Sequence, residues 1–475
     1  MAFPANWAEM DTGMGCNWRA PLYRFYDERL GRRKTFRYVD SLLKSQWLEP
    51  DEIRQLQWRE LQRLLRHAYD TVPFQRRRFD ELGATPEDIR SPQDYARLPL
   101  MEKRDFVQHQ DELLSRSFDP ATLYTNGTGG STGEPMRYRL DRASYEWRQA
   151  AHLRGNMWAG SGLGRREFHL WGEPMRPGSR LSTAKRELWH WALNHHYANS
   201  YHMSPETMST YLDEFNRVRP EVVIGYSYSL YLFARFAADH QRSLWRPTGI
   251  IGTAEKLLPH QREVIERVFQ AQVYERYGCR EVMLIGMECE QHRGMHLTAE
   301  NLYVEILNDG RPAQPGEVGE VVVTDLHNYA MPFLRYRNGD LAVASDRQCA
   351  CGRGLPLIEE VRGRTLDVLR TPDGRRISGV FVPMFFKDYE WVEEFQVEQD
   401  QLDRVQVRLK PAGEYRSELL EPLRSDLQGR LGDRVRIEFQ IVDCIPRNAS
   451  GKHRPVISRL PIDSVTEEIY VAGGR

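Results

Sequence analysis

The sequence has little excess charge of either sign. Its 66 lysines and arginines are balanced by 67 aspartates and glutamates, which leaves a formal net charge of −1. Such a balance argues against a dedicated binder of nucleic acid or of anionic membranes. We therefore expect small-molecule partners, with no nucleic acid and no membrane among them.

Long apolar runs and a dense set of cysteines are also missing. No stretch approaches the roughly 20 apolar residues of a transmembrane helix. The segment Met1–Arg19 carries Glu9 and Asp11 and has no signal-peptide core. The six cysteines are scattered over 475 residues, unlike the disulfide frameworks of small secreted domains. We expect a cytoplasmic protein.

A chain of this length predicts two or three domains. Apolar residues at helical spacing predict a helix over Asp51–Tyr69, ended by Val72-Pro73. In the middle of the chain, short strand-like runs that end in glycine alternate with a helical segment. These segments are Glu221–Gly225, Gly249–Gly252, His260–Phe269 and Ala271–Tyr274. The order is typical of an α/β fold with a mostly parallel sheet and functional loops at its carboxyl edge.

The last third of the chain has a different pattern. Period-two alternation in Asn301–Asn308 and Glu320–Asp325 predicts an antiparallel hairpin. Beyond Gly363 we expect paired strands, a helix and a further strand. Their ranges are Phe395–Glu398, Arg404–Leu409, Leu419–Leu431 and Val435–Val442. The sequence thus predicts a large N-terminal domain over residues 1–362, with layered sheets and helices, and a small α+β domain over 363–475.

A loop rich in glycine and hydroxyl residues spans Thr125–Pro135. Backbone N–H groups and hydroxyls of such a loop can surround the oxygens of a polyphosphate. The loop is not a Walker A motif because Gly-Lys-Ser/Thr is missing. By itself it fits a flexible surface loop as well as a phosphate site.

Four further motifs follow in order. In Tyr277-Gly278-Cys279-Arg280-Glu281, a tyrosine can lie on a purine ring and a carboxylate can hold Mg²⁺. Tyr336–Asp340 ends in a carboxylate suited to two ribose hydroxyls. Gly363–Asp367 lies at the predicted domain boundary, and Pro446–Lys452 near the end of the chain. Each could be an ordinary loop: Glu281 could cap a helix, Asp340 a turn, and Lys452 could be a solvated cation.

Together, from about Leu61 to Arg454, these motifs resemble the adenylate-forming superfamily of acyl-CoA synthetases, adenylation domains and luciferases. Leu64–Phe74 and Leu98–Lys103 are similar to the phenylacetate–CoA ligase and capsule-biosynthesis branch. The resemblance implies a phosphate loop formed by Thr128, Gly129, Gly130, Ser131, Thr132 and Gly133. Ala254 and Glu255 would line the adenine and acyl pocket.

The resemblance also assigns the remaining site residues. Tyr277 and Gly278 would contact adenine, and Asp340 with Arg364 would hold the ribose. Catalysis would rest on Thr128, on Glu281 as the Mg²⁺ ligand, and on Lys452. The lysine would lie on a mobile C-terminal domain that rotates about Gly363–Asp367 for the second half-reaction. It would stabilise negative charge as pyrophosphate leaves.

Two positions depart from the common pattern of the family. Glu134 replaces a lysine that many relatives carry in the phosphate loop, although glutamate is familiar in the capsule-type branch. Arg280 replaces the serine or threonine that precedes the Mg²⁺ glutamate in many relatives.

A metal site is predicted from cysteines and histidines. Thiolates and imidazole supply the four ligands of a tetrahedral structural Zn²⁺. Cys289 alone could be a buried apolar residue, but Cys349-Ala350-Cys351-Gly352 is a tight loop that suits a metal. Some members of the resembled branch carry zinc here. We expect Cys289, His296, Cys349 and Cys351 as ligands, with His292 as the alternative to His296.

The expected function is ATP-dependent activation of a carboxylic acid to acyl-AMP with release of pyrophosphate, followed by acyl transfer to CoA. An amine acceptor in a polysaccharide or natural-product pathway is the alternative. AMP transfer to a hydroxyl, as in deazaflavin-adenylylating synthetases, is another. A zinc-stabilised nucleotide-binding protein without catalysis is the competing class. We expect ATP, Mg²⁺, structural Zn²⁺ and CoA as cofactors and co-substrates. A monomer and a homodimer are both compatible with the sequence.

Overall fold

The computed structural model describes residues 18–127, 136–172, 180–200, 203, 205–364, 369–373, 376–377, 381–386, 389, 391–413, 415–446, 454–460 and 469–470. The chain divides into two units. The first comprises Met1–Val304, Val322–Asn338 and Ser345–Glu359. The second comprises Glu305–Val321, Gly339–Ala344 and Glu360–Arg475. The domain boundary at 362/363 and the mobility of the second domain stay predictions.

The first unit opens with helices. Their bounds are α1 Arg19–Phe25, α2 Thr35–Ser45, α3 Pro50–Thr71, α4 Pro73–Leu82, α5 Pro92–Ala96 and α6 Lys103–Gln108. The sequence explains α3 well, because Glu49 and Glu52 form a capping box around Pro50 at its first turn. Its buried positions, among them Leu61, Leu64 and Leu65, repeat at helical spacing.

Alternating strands and helices follow in the first unit. They are β1 Tyr124–Gly127, β2 Arg137–Leu140, α7 Arg142–Trp158, β3 Glu167–Trp171, α8 Arg180–Leu193, β4 His195–Asn199, α9 Pro205–Val218, β5 Val222–Tyr226, α10 Ser227–Asp239, β6 Gly249–Thr253, α11 Pro259–Phe269, β7 Val273–Cys279, β8 Met283–Glu288 and β9 Met295–Leu297. The strand pairs β4–β3, β3–β5, β5–β6 and β6–β7 are all parallel. This confirms the predicted α/β class with its parallel sheet.

The sheet then becomes antiparallel through β7–β8, β8–β9 and β9–β14. The expectation that a strand ends near Tyr274 was wrong. β7 continues to Cys279 because β8 supplies an antiparallel hydrogen-bonding partner for its second half. Tyr277 and Gly278 therefore lie within a strand and not in the loop after it.

The two faces of the parallel sheet differ in character. One face is apolar and carries Phe168, Val223 and Ile250, in a cluster with aromatic residues of α9, α10 and α11. Since side chains alternate across a strand, neighbouring residues face the other way. That second face carries Ile224 and Ile251 in a cluster with Trp158, which ends α7.

The remaining elements are β10 Leu302–Asn308, β11 Arg311–Pro312, β12 Val318–Asp325, β13 Tyr336–Ala344, β14 Leu357–Arg364, β15 Leu369–Arg370, β16 Arg376–Ile377, α12 Phe381–Phe386, β17 Val392–Gln401, β18 Arg404–Pro411, α13 Leu420–Leu431, β19 Arg436–Ile441, β20 Val456–Ser458 and β21 Ile469–Tyr470. β10 pairs antiparallel with the short β11 and is also a neighbour of β12. Among the described residues, no helix combines the length and apolar character needed to cross a bilayer.

The second unit contains a four-stranded sheet in the order β19-β18-β17-β20. β17 and β18 are antiparallel, whereas β18 and β19 are parallel and joined by α13. Leu423, Leu427 and Leu431 of α13 are buried in its core. The predicted pair of strands, the helix and the final strand are all present.

A half-buried carboxyl group on β7, that of Glu275, makes the stability of the first unit depend on pH. Burial raises the pKa of Glu275 from 4.5 to about 7, and the nearby Glu288 adds to the rise. The neighbouring Glu288 is buried, which by itself would raise the pKa of its carboxyl group. Its contacts with His292 and Arg262 outweigh the effect of burial and lower that pKa. At neutral pH the two acids thus differ in their tendency to ionise.

We expect the free energy of unfolding of Glu275→Gln to fall less with rising pH than that of the wild type. The unfolded chain releases this proton near pH 4.5 and the folded chain near 7. The folded state therefore retains the extra proton between these values, and its stability falls as the pH rises through them. Urea unfolding from about pH 5 to about pH 8 should show a smaller decline in the variant than in the wild type. Glu263→Gln, on the exposed side of α11, is the control and should leave the decline unchanged.

Candidate active site

The predicted phosphate loop connects the two strands of a hairpin. β1 and β2 are antiparallel, with Gly127 opposite Arg137. The loop residues Thr128 to Gly133, and Glu134, lie outside the described residues. Because the two strands are paired up to Gly127 and Arg137, the hairpin fixes where this loop begins and ends.

The second motif forms the turn between β7 and β8. Tyr277 and Gly278 belong to β7, and Arg280 and Glu281 lie in the turn. A Cβ atom on Gly278 would lie 1.9 Å from the carbonyl oxygen of Met283. Only glycine therefore permits the close approach of the two strands that closes this turn.

Arg280 connects this turn to the hairpin in two ways. Its guanidinium donates to the carbonyl oxygen of Gly127 at 3.3 Å, and its own carbonyl oxygen accepts from the Tyr138 hydroxyl. Gly127 is the last described residue before the loop. The cation that departs from the family pattern thus lies at the base of the predicted phosphate loop.

The third motif contacts the same turn. The Tyr336 hydroxyl donates to the Glu281 carboxylate at 3.5 Å, and the Asn338 amide donates to the Tyr277 hydroxyl at 2.9 Å. Tyr277 is 9% exposed, so both its ring and its hydroxyl have a fixed environment. Two segments that are far apart in sequence, the β1–β2 hairpin and Tyr336–Asn338, thus converge on Tyr277–Glu281.

The segment that resembled the family's N-terminal region supports this arrangement. Met101 pairs with Tyr336 in an isolated parallel bridge. Glu102 accepts a charge-assisted hydrogen bond from Arg337 at 2.9 Å. These contacts hold the start of β13 beside α6, and with it the tyrosine that binds Glu281.

Ala254 and Glu255 follow β6 at the carboxyl edge of the sheet. Ala254 has a left-handed φ of 69°, which turns the chain sharply. The Glu255 carboxylate accepts from the Tyr228 backbone N–H at 3.2 Å, and its carbonyl oxygen accepts from Ser227 Oγ at 3.0 Å. Glu255, which follows Ala254, is thereby bound to the first turn of α10.

Three predicted site residues are placed only in part. Asp340 lies on β13, is 7% exposed, and is assigned to the second unit. Arg364 ends β14, but its side chain lies outside the described part of the chain. Lys452 lies outside the described residues altogether.

Cys289, His296, Cys349 and Cys351 come together in the first unit, and we call them the cysteine cluster. One ligand atom from each lies within 4.8 Å of the other three. The sulfurs of Cys289 and Cys349 are 3.6 Å apart, and Cys351 Sγ is 3.2 Å from His296 Nε2. A tetrahedral zinc with Zn–S bonds of ~2.3 Å separates two sulfurs by ~3.8 Å. The donors and their spacing fit zinc.

The surroundings of the cysteine cluster also suit a metal. Backbone N–H groups of Gln291 and Arg353 point to Cys289 and Cys351 at 3.5 Å. His296 Nδ1 lies 3.3 Å from the Leu355 carbonyl, so Nε2 faces the cysteines. The alternative ligand His292 lies apart from the cluster, because its Nδ1 contacts the Glu288 carboxylate at 3.2 Å.

Comparison with known proteins agrees with this fold. A phenylacetate–CoA ligase from Thermus thermophilus is 27% identical over 330 residues, which are 68% of this chain and 72% of that protein. Protein CapK from Staphylococcus aureus is 24% identical over 382 residues, 76% of this chain and 80% of CapK. The family profile described as the CapK C-terminal domain matches residues 369–459.

The chain is similar to the phenylacetate–CoA ligase and CapK branch of the adenylate-forming superfamily. The similarity to the phenylacetate–CoA ligases indicates an AMP-forming ligase. A solved 2-hydroxyisobutyryl-CoA ligase, in the postadenylation state with 2-HIB-AMP, has the same fold at a TM-score of 0.68. It is 20% identical, and the match covers 86% of this chain and 90% of that one. The resemblance inferred from the motifs is confirmed.

The sequence analysis did not identify three residues that position this turn. Tyr138, Tyr336 and Asn338 fix the turn through side-chain hydrogen bonds. Tyr336 and Asn338 belong to a motif of which only Asp340 received a role. Tyr138 follows the loop in a segment where arginine and apolar residues alternate, and this alternation was the signal available in the sequence.

We expect Gly278→Ala to destabilise the first unit by about 1–3 kcal/mol, as overpacking does. The added methyl group would meet the Met283 carbonyl oxygen, which is part of the β7–β8 backbone. Gly162→Ala is the matched control, since its nearest contact would be a side-chain carbon of Arg165 at 3.6 Å. Equal free energies of unfolding for the two variants would contradict the steric account.

Proposed function

We propose that the chain activates a carboxylic acid as its adenylate and then transfers the acyl group to CoA. The observation that carries this is the convergence on Tyr277–Glu281 of the phosphate-loop hairpin and of Tyr336–Asn338. The relatives named phenylacetate–CoA ligase support CoA as the acceptor.

Arg280 and the phosphate loop would bind the polyphosphate of ATP. The loop supplies backbone N–H groups and hydroxyls, and Arg280 supplies a fixed charge at its base. A guanidinium always carries its charge and can donate to two phosphate oxygens at once. Many relatives carry serine or threonine at this position, and its hydroxyl can hydrogen-bond to phosphate. We infer that Arg280 binds the phosphates through its charge instead.

Glu281 would hold Mg²⁺ on the phosphates. Tyr336 occupies one of its carboxylate oxygens, and a carboxylate offers further lone pairs to a cation. Tyr277 would lie on adenine, with its hydroxyl oriented by Asn338. Asp340 and Arg364 would bind the ribose, and Lys452 would stabilise the charge that develops as pyrophosphate leaves.

We further propose that the cysteine cluster holds a structural zinc. The ion would connect the β8–β9 region, which carries Cys289 and His296, to the tight Cys349–Cys351 loop before β14. Four protein ligands leave no open coordination position, which is typical of structural rather than catalytic sites.

We expect Lys452→Ala to abolish acid-dependent exchange of pyrophosphate into ATP while ATP still binds. The lysine acts on charge that is present only in the transition state. Exchange is measured with aryl, fatty and amino acids, and Lys410→Ala, a lysine held by Glu393, serves as the control. Undiminished exchange in Lys452→Ala would contradict the mechanism.

Adenylation without thioester formation on adding CoA would move the proposal to an amine or hydroxyl acceptor.

Arg280→Gln should weaken ATP binding about 10- to 100-fold, the range for loss of a charged hydrogen bond. Calorimetric titration with ATP and Mg²⁺ measures this directly. Arg267→Gln, an exposed arginine of α11, is the control. If the two variants bind ATP equally well, Arg280 has no role at the phosphates.

Cys351→Ser should remove the zinc that purifies with the chain and lower the melting temperature by several degrees. Metal analysis of protein prepared with zinc in the medium makes the measurement. Cys279→Ser is the control, because that cysteine lies outside the cluster. Wild-type protein free of metal would reject the site.

A further inference from the structure

A second group of side chains able to bind a metal lies on the face of the parallel sheet that also carries Ile224. Glu167 and His169 are two residues apart on β3 and so share a face. His195 begins β4 and lies opposite Glu167 in the parallel register. We call these three residues the histidine cluster. None of them has a part in the activity proposed above.

The distances within the histidine cluster fit a common metal ion. Glu167 Oε2 is 3.0 Å from His169 Nε2 and 3.2 Å from His195 Nε2. All three ligand atoms lie within 4.8 Å of one another. Ligands bound to zinc at ~2.0–2.2 Å are separated by roughly 3–3.5 Å. A small inward rotation of the side chains would bring the three atoms onto one ion.

Neighbouring groups fix the orientation of these ligands. Ser161 Oγ donates to Oε1 of Glu167, which leaves Oε2 directed at the histidines. The Tyr197 ring stacks on His169 at 4.5 Å and 11°. Such supporting contacts are what orient metal ligands in proteins. The side chains of the histidine cluster are therefore held in fixed orientations by their neighbours.

Burial and charge also favour a metal. Glu167 is 4% exposed, whereas the His195 side chain is 20% exposed and offers a route from solvent. A neutral imidazole has a lone pair for a metal once its N–H is shifted to Nδ1.

The buried Arg276 interacts electrostatically with Glu167, but its guanidinium contacts other side chains directly. Arg276 donates to Asn156 Oδ1 at 2.9 Å and lies 3.2 Å from His152 Nε2. The direct partners of the Glu167 carboxylate are a hydroxyl and two imidazoles. The carboxylate thus brings its negative charge to the point between the two rings.

We propose that Glu167, His169 and His195 bind a divalent first-row transition ion such as Zn²⁺, which joins β4 to β3. β4 ends the order of the sheet on this side and is paired only with β3 among the described strands. An ion held by both strands would secure this last strand. Two imidazoles and one carboxylate leave the fourth position for water. With three protein ligands, the site would bind zinc more weakly than the cysteine cluster.

The test is a zinc titration of the full-length chain prepared without a polyhistidine tag. The wild type, already carrying zinc in the cysteine cluster, should bind about one further equivalent. His195→Gln should lose this equivalent. His196→Gln is the matched control, because the next residue on β4 faces the opposite side of the sheet. Added zinc should raise the melting temperature of the wild type and of His196→Gln, but not that of His195→Gln.

Cobalt distinguishes the two sites. Co²⁺ bound to cysteine gives a charge-transfer absorption that histidine and carboxylate ligands do not give. His195→Gln should retain this absorption, which also shows that the variant has folded. If His195→Gln fails to fold, Glu167→Gln takes its place in the same assay. The proposal is overturned if the wild type binds no further zinc, or if His195→Gln and His196→Gln bind equal amounts. The cluster would then be a set of hydrogen bonds only.

Discussion

The hydroxyl of Tyr138 and the guanidinium of Arg280 bind the β7–β8 turn to the base of the β1–β2 hairpin. This contact matters because a phosphate loop can contribute to catalysis only if its backbone donors bind the same ligand as the groups on the turn. The hairpin and the turn each have internal contacts that do not depend on the other element. The hairpin has its own pairing, and Gly278 closes the turn. What makes them one site is the pair of hydrogen bonds at Arg280.

Replacing a hydroxyl residue by arginine at position 280 changes the electrostatics of such a site. In the proposed function, Arg280 would bring a permanent charge to the phosphates. Its guanidinium also donates to the carbonyl oxygen of Gly127, so the same side chain would both support the loop and bind its ligand. Glu134, also a departure, introduces the opposite charge into the loop. Together they change the charges lining the loop from the family's usual pattern.

Local pattern predicted much of the fold and part of the site. The helical spacing of apolar residues predicted α3 and α13, and short runs ending in glycine predicted the parallel strands β5 and β6. The cysteine cluster was accessible because Cys349 and Cys351 lie close in sequence. The contact of Tyr138 with Arg280 was not, since 142 residues separate them and neither has a distinctive spacing. The proximity of His169 and His195 could not be predicted for the same reason, because only the register of β3 and β4 brings them together.

The most direct test of the central claim is a double-mutant cycle of Tyr138→Phe and Arg280→Gln on the affinity for ATP. Tyr138 binds the backbone of Arg280, so removing its hydroxyl should weaken ATP binding chiefly through the position of that residue. The account predicts a coupling energy of about 1 kcal/mol, with Tyr138→Phe having little further effect once Arg280 is replaced. Strictly additive losses, or no loss from Tyr138→Phe alone, would contradict it.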